Sequence, residues 1–388
     1  MKQFLFTGYL CMSILLCGCK QVKAENPEPE QAETAYNAET VKGKAKIQVA
    51  ILLDTSSSMD GLIEQAKSRL WNIVNTLTTL KLQGKEPVLE IALYEYGNNN
   101  IHNDEYIRQV LPLSTDLDLI SQKLFALTTL GGDEYCGAVI NKATQQLEWG
   151  KNDNDIRLIY IAGNEPFTQG RTHYIEAINN ALAKNIFINT IHCGDAEEGI
   201  DGKWRDGAVK GKGKYFNINH NERVRYISTP YDDRISGCNA RLNATYIGYG
   251  ELGEYSKQNQ RAQDVNARSI SAANETERIV SKSKSVYKNS SWDLVDLAKE
   301  DAKAVEKIAD KDLPDELQGK SKDELKVLLA QKEAERKTIQ EEIETLAKQR
   351  QAYIDEETKK QGDGGDDLGK AITQSVLDVA LAKGYTAE

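Results

Sequence analysis

The sequence predicts an α/β fold: a doubly wound, mostly parallel sheet of six strands, followed by an all-helical C-terminal region. Between residues 46 and 220, short apolar runs alternate with segments whose apolar residues recur every three or four positions. Parallel neighbouring strands need crossover connections, which are usually helices, so this alternation indicates a parallel sheet covered on both faces. After residue 220 the apolar runs stop, and residues 221–388 are charged and periodic at helical spacing.

The first apolar run spans residues 47–53 and has polar residues on both sides. It is typical of a central strand in a parallel sheet, because both faces of such a strand are buried. Five more strands are predicted at residues 88–96, 107–113, 156–162, 186–192 and 214–218. The polar segment between the second and third strands is short, so these two are expected to form a hairpin with one antiparallel edge strand. Helices are predicted at residues 63–80, 116–127, 135–149 and 171–184.

In the C-terminal region, Ser321 and Glu324 have the spacing of a capping box that opens a helix. The apolar residues that follow keep the register of a partial coiled coil: Leu325, Leu329, Ile339, Ile343 and Leu346. Lys332 and Arg336 occupy intervening seam positions, so the seam favours an intramolecular helical hairpin over a long dimer. A final helix is predicted at residues 368–382, after a turn rich in glycine and aspartate.

The first 18 residues begin with Lys2, continue with an apolar core and end in a small residue before Cys19. This order resembles a bacterial lipoprotein signal peptide, and the resemblance implies cleavage before Cys19 and acylation of that cysteine. Residues 19–45 carry charge and proline without apolar periodicity, as a flexible tether does. The chain is therefore expected in the bacterial cell envelope as a lipid-anchored protein. Lys20 is not an acidic retention signal, which favours the outer membrane over the inner membrane.

With Cys19 acylated, three cysteines remain in the mature chain, and an oxidising compartment permits one disulfide among them. Cys136 and Cys193 both fall on loops at the carboxyl edge of the predicted sheet, so they are the favoured pair. Pairings with Cys238 stay open.

The composition excludes two classes of function. The chain has 59 acidic and 49 basic residues and no long basic block, so nucleic-acid binding is not indicated. Its four histidines have no metal-ligand spacing and no Cys-x-x-Cys occurs, so a zinc enzyme is not indicated.

The residues that carry chemistry begin directly after the first strand, with Asp54, Ser56 and Ser58. A hard divalent cation prefers oxygen ligands, and one carboxylate with two nearby hydroxyls can supply three of them from one turn. The alternative is that these side chains cap the next helix. Two more polar loops are expected at the same edge of the sheet, one at residues 131–133 and one at residues 163–165.

Together, Asp54-Thr-Ser-Ser-Ser58, Gly131-Gly-Asp133 and Gly163-Asn-Glu165 resemble the motifs of the von Willebrand factor A (VWA) domain, over about residues 46 to 220. That domain carries a metal-ion-dependent adhesion site (MIDAS). The whole chain is also similar to uncharacterised lipoproteins of Gram-negative bacteria that join such a domain to a helical tail. No biochemical activity comes with this second likeness.

The VWA resemblance implies that Asp54 and the two serines bind the cation, with Mg²⁺ expected and Mn²⁺ or Ca²⁺ as alternatives. In the family a threonine of the second loop and an aspartate of the third complete the set, and the partner supplies the last oxygen. Here Asp133 stands at the threonine position and Gly163 at the aspartate position. We therefore expect Asp133 and Glu165 as ligands, and Asn164 and Glu134 as further candidates.

These departures move carboxylates within the site and make the cation less dependent on an anionic ligand from a partner. A third carboxylate would make a closed structural cation site. Each candidate also has a structural alternative. Asp133 could cap the helix that follows, and Asn164 and Glu165 could only shape a turn.

Three functions compete. The first is a lipid-anchored, non-catalytic binding module that uses the MIDAS-like cation site for protein–protein interaction at the cell envelope. The second is a structural envelope protein whose helical tail makes the contacts and whose cation only stabilises the domain. The third is a hydrolase that uses the cation to activate water. Glu165 is its sole candidate general base, so the sequence favours a protein that is not an enzyme.

Overall fold

The structure of the protein is a computed structural model that describes residues 43–219, 224, 226–361 and 368–387. The predicted signal peptide, Cys19 and residues 20–42 of the predicted tether lie outside the described residues. The described residues all belong to one compact unit.

The described residues form eight strands, and six of them build one sheet. The strands are β1 (Lys46–Asp54), β2 (Leu80–Leu82), β3 (Val88–Tyr96), β4 (Ile107–Ser114), β5 (Ile156–Gly163), β6 (Phe187–Cys193), β7 (Lys212–Ile218) and β8 (Tyr385–Ala387). The large sheet has the order β4-β3-β1-β5-β6-β7, in which only β4 runs antiparallel to its neighbour. This confirms the predicted fold class, including the antiparallel edge strand.

Thirteen helices are described. They are α1 (Asp60–Leu77), α2 (Leu117–Phe125), α3 (Cys136–Gln146), α4 (Tyr174–Leu182), α5 (Ala196–Asp201), α6 (Trp204–Lys210), α7 (Asp232–Asn243), α8 (Gly250–Ile270), α9 (Ala272–Ser283), α10 (Leu294–Glu300), α11 (Ala302–Val305), α12 (Lys322–Gln361) and α13 (Leu368–Ala382). Three short 3-10 turns are added at Ser57–Met59, Asp310–Asp312 and Asp315–Leu317. The first predicted helix was too long, because Leu80 begins β2, which pairs with β8.

The sheet has an apolar core on each face. Along β1, Val49 and Ile51 point into one core while Ala50 and Leu52 point into the other, as strand geometry requires. Helices α3, α4 and α6 contribute to the second core. Helices α1, α2, α7, α9, α12 and α13 contribute to the first. The doubly wound arrangement that the sequence predicts is thus present.

The last helix, α13, covers part of the sheet itself. It packs against α1, β5 and β7. The Tyr160 hydroxyl on β5 is hydrogen-bonded to the Ser375 hydroxyl and lies 3.3 Å from the Ile372 carbonyl oxygen. Residues near the C-terminus therefore belong to the same core as the strands. The domain limits 46–220 and 221–388 remain a prediction from composition.

Buried ion pairs join the C-terminal helices to α2 and to one another. The Arg278 side chain on α9 is 0% exposed; its Nη2 lies 2.6 Å from Asp118 Oδ1 on α2 and its Nε donates to Asp264 Oδ1 at 3.0 Å. Arg336 on α12 is also buried and lies 2.8 Å from Asp293 Oδ2. The buried partner Asp293 thus explains why a charged residue, Arg336, occupies a position in the predicted seam.

Helix α12 packs within the chain, but against several short helices and not in the helical hairpin that its weak seam predicted. All five apolar seam residues are buried: Leu325, Leu329, Ile339, Ile343 and Leu346. Its neighbours are the shorter helices α7, α9 and α10 rather than one long partner helix. Among helices in the described ranges, none combines the length and the apolar character needed to cross a membrane.

The predicted disulfide between Cys136 and Cys193 is not formed. Cys136, Cys193 and Cys238 are all free thiols and all buried. Cys136 belongs to the core on one face of the sheet and Cys193 to the core on the other. The two residues lie near the same edge, but the sheet separates their side chains.

Candidate metal centre

The three predicted loops meet at the carboxyl edge of the sheet, which we call the upper edge. Strand β1 ends there at Asp54, between β3 and β5. Backbone hydrogen bonds tie the loops together: the Thr55 N–H donates to the Tyr96 carbonyl at 2.9 Å, and the Leu130 N–H donates to the Thr55 carbonyl at 3.0 Å. The sequence motifs are therefore neighbours in space.

Asp54 lies at the centre of this edge and is 0% exposed. Its Oδ1 accepts a hydrogen bond from the Ser56 backbone N–H at 2.7 Å. Its Oδ2 is buried without a hydrogen-bond partner. Because burial disfavours the charged form, the pKa of Asp54 is raised to about 6. A buried carboxylate oxygen that accepts from no N–H or hydroxyl group is costly, and the neighbouring Glu134 carboxyl group is the group that bonds to Asp54 here.

The two serines of the first loop line the same recess. The Ser56 and Ser58 hydroxyl oxygens lie 3.2 Å apart, and Ser58 Oγ lies 3.5 Å from Asn164 Oδ1 on the third loop. Ser56 is 4% exposed, whereas Ser58 faces solvent. Neither the 3-10 turn that follows nor α1 has a side-chain cap, so the capping alternative does not hold here.

In the second loop the structure places Glu134, rather than Asp133, beside Asp54. Glu134 is 4% exposed. A Cβ on Gly97 would come within 2.7 Å of Glu134 Cγ and 3.0 Å of Asp54 Oδ1, so both side chains crowd against that glycine. Gly97 also has φ +77, which favours glycine. Burial and the adjacent Asp54 carboxylate raise the pKa of Glu134 strongly.

Asp133 itself is exposed and accepts a hydrogen bond from the Tyr135 hydroxyl at 3.1 Å. It does not cap the next helix either, since α3 begins at Cys136 with Tyr135 as the N-cap residue. The two acidic residues are adjacent in sequence, and both end in a carboxyl group that could bind a cation. Only the path of the loop decides which carboxylate reaches Asp54.

Glu165 lies on the exposed rim of the recess. Its Oε2 accepts a hydrogen bond from Gln169 Nε2 at 3.1 Å, and Gln169 Oε1 accepts one from the Glu134 backbone N–H at 3.3 Å. Gln169 therefore connects the second loop to the third. The Glu165 charge also contributes to the raised pKa values of Asp54 and Glu134. The sequence offered no signal for Gln169.

The backbone of the third loop is held from β6 and α6. Trp204 Nε1 donates to the Glu165 carbonyl at 2.8 Å, and His192 Nε2 lies 3.3 Å from the Asn164 carbonyl oxygen. His192 closes a predicted strand, so its place at the upper edge could have been expected. Nothing in the sequence pointed to Trp204.

Packing explains why the third loop has Gly163 where the family has an aspartate. A Cβ at this position would lie 2.5 Å from the Tyr96 hydroxyl oxygen and 3.1 Å from Asp54 Oδ2. The Tyr96 hydroxyl is held in place because it donates to the Ala162 carbonyl at 2.9 Å. In this chain, Tyr96 fills the space that a third-loop carboxylate would need.

These donors fit a hard divalent cation, because all are oxygens: the carboxylates of Asp54 and Glu134 and the hydroxyls of Ser56 and Ser58. Within the described part of the chain, no three His, Cys, Asp or Glu side chains come together as a metal-binding group. A cation here would therefore depend on two carboxylates and on neutral hydroxyl oxygens.

Comparison with known proteins supports the domain assignment. Residues 48–200 match the family model of the von Willebrand factor type A domain. The comparison with curated proteins found no match. The assignment of a VWA domain rests on this family match and on the sheet topology.

Several solved structures resemble part of the chain. BatB from Bacteroides thetaiotaomicron is 18% identical, with 44% of this chain and 90% of that chain covered, at a TM-score of 0.35. The SpRpn10 VWA domain is 17% identical; the match covers 46% of this chain and 90% of that domain, at a TM-score of 0.36. A third structure is proximal thread matrix protein 1 from the mussel byssus with a zinc-occupied MIDAS motif. It is 11% identical, and the match covers 46% of this chain and 43% of that chain, at a TM-score of 0.35.

Proposed function

We propose that this chain, whose residues 48–200 form a VWA domain, is a lipid-anchored, non-catalytic binding module of the bacterial envelope. It engages a protein partner across a divalent-cation site on the upper edge of its sheet. One observation carries the proposal: the fully buried Asp54 has a carboxylate oxygen without a partner, beside a second buried carboxyl group, Glu134.

Two adjacent buried carboxyl groups are unfavourable when both are charged and no cation balances them. A divalent cation removes that cost and takes up the free oxygen of Asp54. Asp54, Glu134, Ser56 and Ser58 would hold it. Mg²⁺ suits this set of hard oxygen donors best, and Mn²⁺ or Ca²⁺ are the alternatives.

The other predicted ligands are not among the residues that we propose to hold the cation. Glu165 and Asn164 lie on the third loop, where they line the open side of the recess. Asp133 faces solvent and contributes charge to the surface near the site rather than a ligand to the cation.

A binding role fits this surface better than catalysis does. VWA domains commonly act as protein-interaction modules, and Ser58 and Glu165 are exposed at this site, where a partner can reach them. Glu165, the one candidate general base, is held by Gln169 at the exposed rim. The partner therefore meets the edge of the sheet directly.

The cation is tested by thermal unfolding of the full chain with EDTA or with added Mg²⁺, Mn²⁺ or Ca²⁺. Because a ligand that binds only the folded state stabilises it, we expect the midpoint to rise with cation concentration. Asp54→Asn should abolish the rise. Asp133→Asn, which removes an exposed carboxylate from the same edge, should leave it intact. A wild-type midpoint that no cation changes contradicts the proposal.

The lipid anchor is tested separately, by labelling cells with a radioactive fatty acid. We expect label in the wild-type chain and none in Cys19→Ser. Label that persists in this variant, or a wild-type chain without label, contradicts the anchor and leaves the cation site unaffected.

A further inference from the structure

We infer that the partner surface that meets this site is neutral or basic and that it supplies no carboxylate to the cation. The inference rests on the proposed cation site and specifies the kind of partner that the site accepts. It follows from the charges that surround the recess and from the packing that fixes them.

The recess already holds enough negative charge for a divalent cation. Asp54 and Glu134 are both buried, and both crowd against Gly97. Because the two carboxylates are buried side by side, both charges would lie close to the cation and would balance its two charges. A carboxylate from a partner would then enter a site with no remaining positive charge.

The free oxygen of Asp54 shows independently that the recess is built for a ligand. Asp54 Oδ2 is buried and has no hydrogen-bond partner, although Oδ1 of the same carboxylate is satisfied by Ser56. On this side the recess is closed by Gly163 and Tyr96, which leave no room for another side chain. The open side is left to Ser58 and the third loop.

The surface around the opening is also acidic. Asp60, the first residue of α1, and Glu165, on the third loop, are exposed beside the recess. Asp60 accepts a hydrogen bond from the Thr129 hydroxyl, so its carboxylate is fixed beside the second loop. An acidic partner segment would be repelled by these groups before it reached the cation, whereas a basic one would be attracted.

The test uses the full chain loaded with Mn²⁺ and measures water-proton relaxation, which reports the water molecules that remain on the ion. Acetate is the carboxylate probe and acetamide is the neutral control of the same size. We expect that acetate displaces water from wild-type protein no better than acetamide does. Glu134→Gln should bind acetate about tenfold or more tightly, the size of effect that one adjacent charge has on a carboxylate.

Two more variants complete the test. Asp133→Asn is the matched control and should behave as wild type does, because its carboxylate points to solvent. Glu165→Gln changes an exposed side chain and should raise acetate binding, so the test remains decisive if Glu134→Gln loses Mn²⁺. Acetate binding to wild type as tight as to both Glu134→Gln and Glu165→Gln overturns the inference. Mn²⁺ binding to wild type is measured before acetate is added. If wild type binds no Mn²⁺, the proposed function is overturned as well.

Discussion

Replacing Asp54 with asparagine should stabilise the cation-free protein at neutral and alkaline pH, although Asp54 lies at the centre of the candidate site. Burial raises the pKa of this carboxyl from 3.8 to about 6. The folded chain therefore holds the proton more tightly than the unfolded chain does. This contribution to stability is complete below the unfolded pKa and is lost as the pH rises through the folded pKa.

The difference between a pKa of 3.8 and one of about 6 corresponds to about 3 kcal/mol of unfolding free energy. Asparagine avoids this loss because its side chain stays neutral. The amide oxygen can still accept from the Ser56 N–H, which now bonds to Asp54 Oδ1 at 2.7 Å. The amide nitrogen takes the place of Oδ2 and can donate to the neighbouring Glu134 carboxyl group. Asp54→Asn should therefore exceed wild type by about 3 kcal/mol near pH 8, with a smaller difference near pH 5.

Urea unfolding in EDTA at several pH values measures this difference. Asp133→Asn is the control and should follow wild type, since Asp133 is exposed. The reasoning is refuted if Asp54→Asn is no more stable than wild type near pH 8, or if its advantage is the same at every pH. With saturating cation the order should reverse, because only wild type gains stability from the ion.

Three further outcomes are expected. Gly163→Ala places a Cβ 2.5 Å from the Tyr96 hydroxyl oxygen and should lower the free energy of unfolding by about 1–3 kcal/mol; an unchanged urea midpoint would contradict this packing. Arg278→Ala leaves two buried carboxylates without their guanidinium partner, and it should lower the free energy of unfolding by about 3–5 kcal/mol. Thermal unfolding measures this loss, and a loss below about 1 kcal/mol would mean that the ion pairs are not buried in solution. Dithiothreitol should leave the thermal midpoint unchanged, because Cys136 and Cys193 are free thiols, and a fall in the midpoint would reveal a disulfide.

The six strands of the main sheet could be predicted because their signal is local. Each apolar run is short and bounded by polar residues, and β3 matches the predicted range in full. The ends of helices were less accurate. Leu80 continues the apolar spacing of α1, but it forms β2 because a partner strand, β8, lies more than 300 residues along the chain. Local periodicity carries no information about such a partner.

The candidate site, like the fold, could be predicted only where its residues are close together in sequence. Asp54, Ser56 and Ser58 lie within five residues, so their proximity follows from one turn after a buried strand. Asp133 and Glu134 could not be separated, because their positions depend on how the second loop crosses the edge. Tyr96 is a strand residue by sequence, and only the packed structure shows that its hydroxyl fills the place of the third-loop carboxylate.

The disulfide prediction failed for a related reason. Cys136 begins α3 and Cys193 ends β6, so both lie near one edge of the sheet, yet they belong to the cores on opposite faces. Side chains alternate along a strand, so a shift of one position along β6 would turn the Cys193 side chain to the other face of the sheet. The thiols of Cys136 and Cys193 are separated by the sheet itself.

The sequence by itself determined the fold class, the antiparallel edge strand and the first loop of the candidate site, because hydrophobic spacing and one turn of chain suffice for these. Tertiary structure decided that Glu134 joins Asp54, that Gly163 has no room for a side chain, and that α13 returns to cover the sheet. These features depend on contacts between residues far apart in sequence. The energies of such contacts come from burial and from charges held close together, and both arise only once the chain has folded.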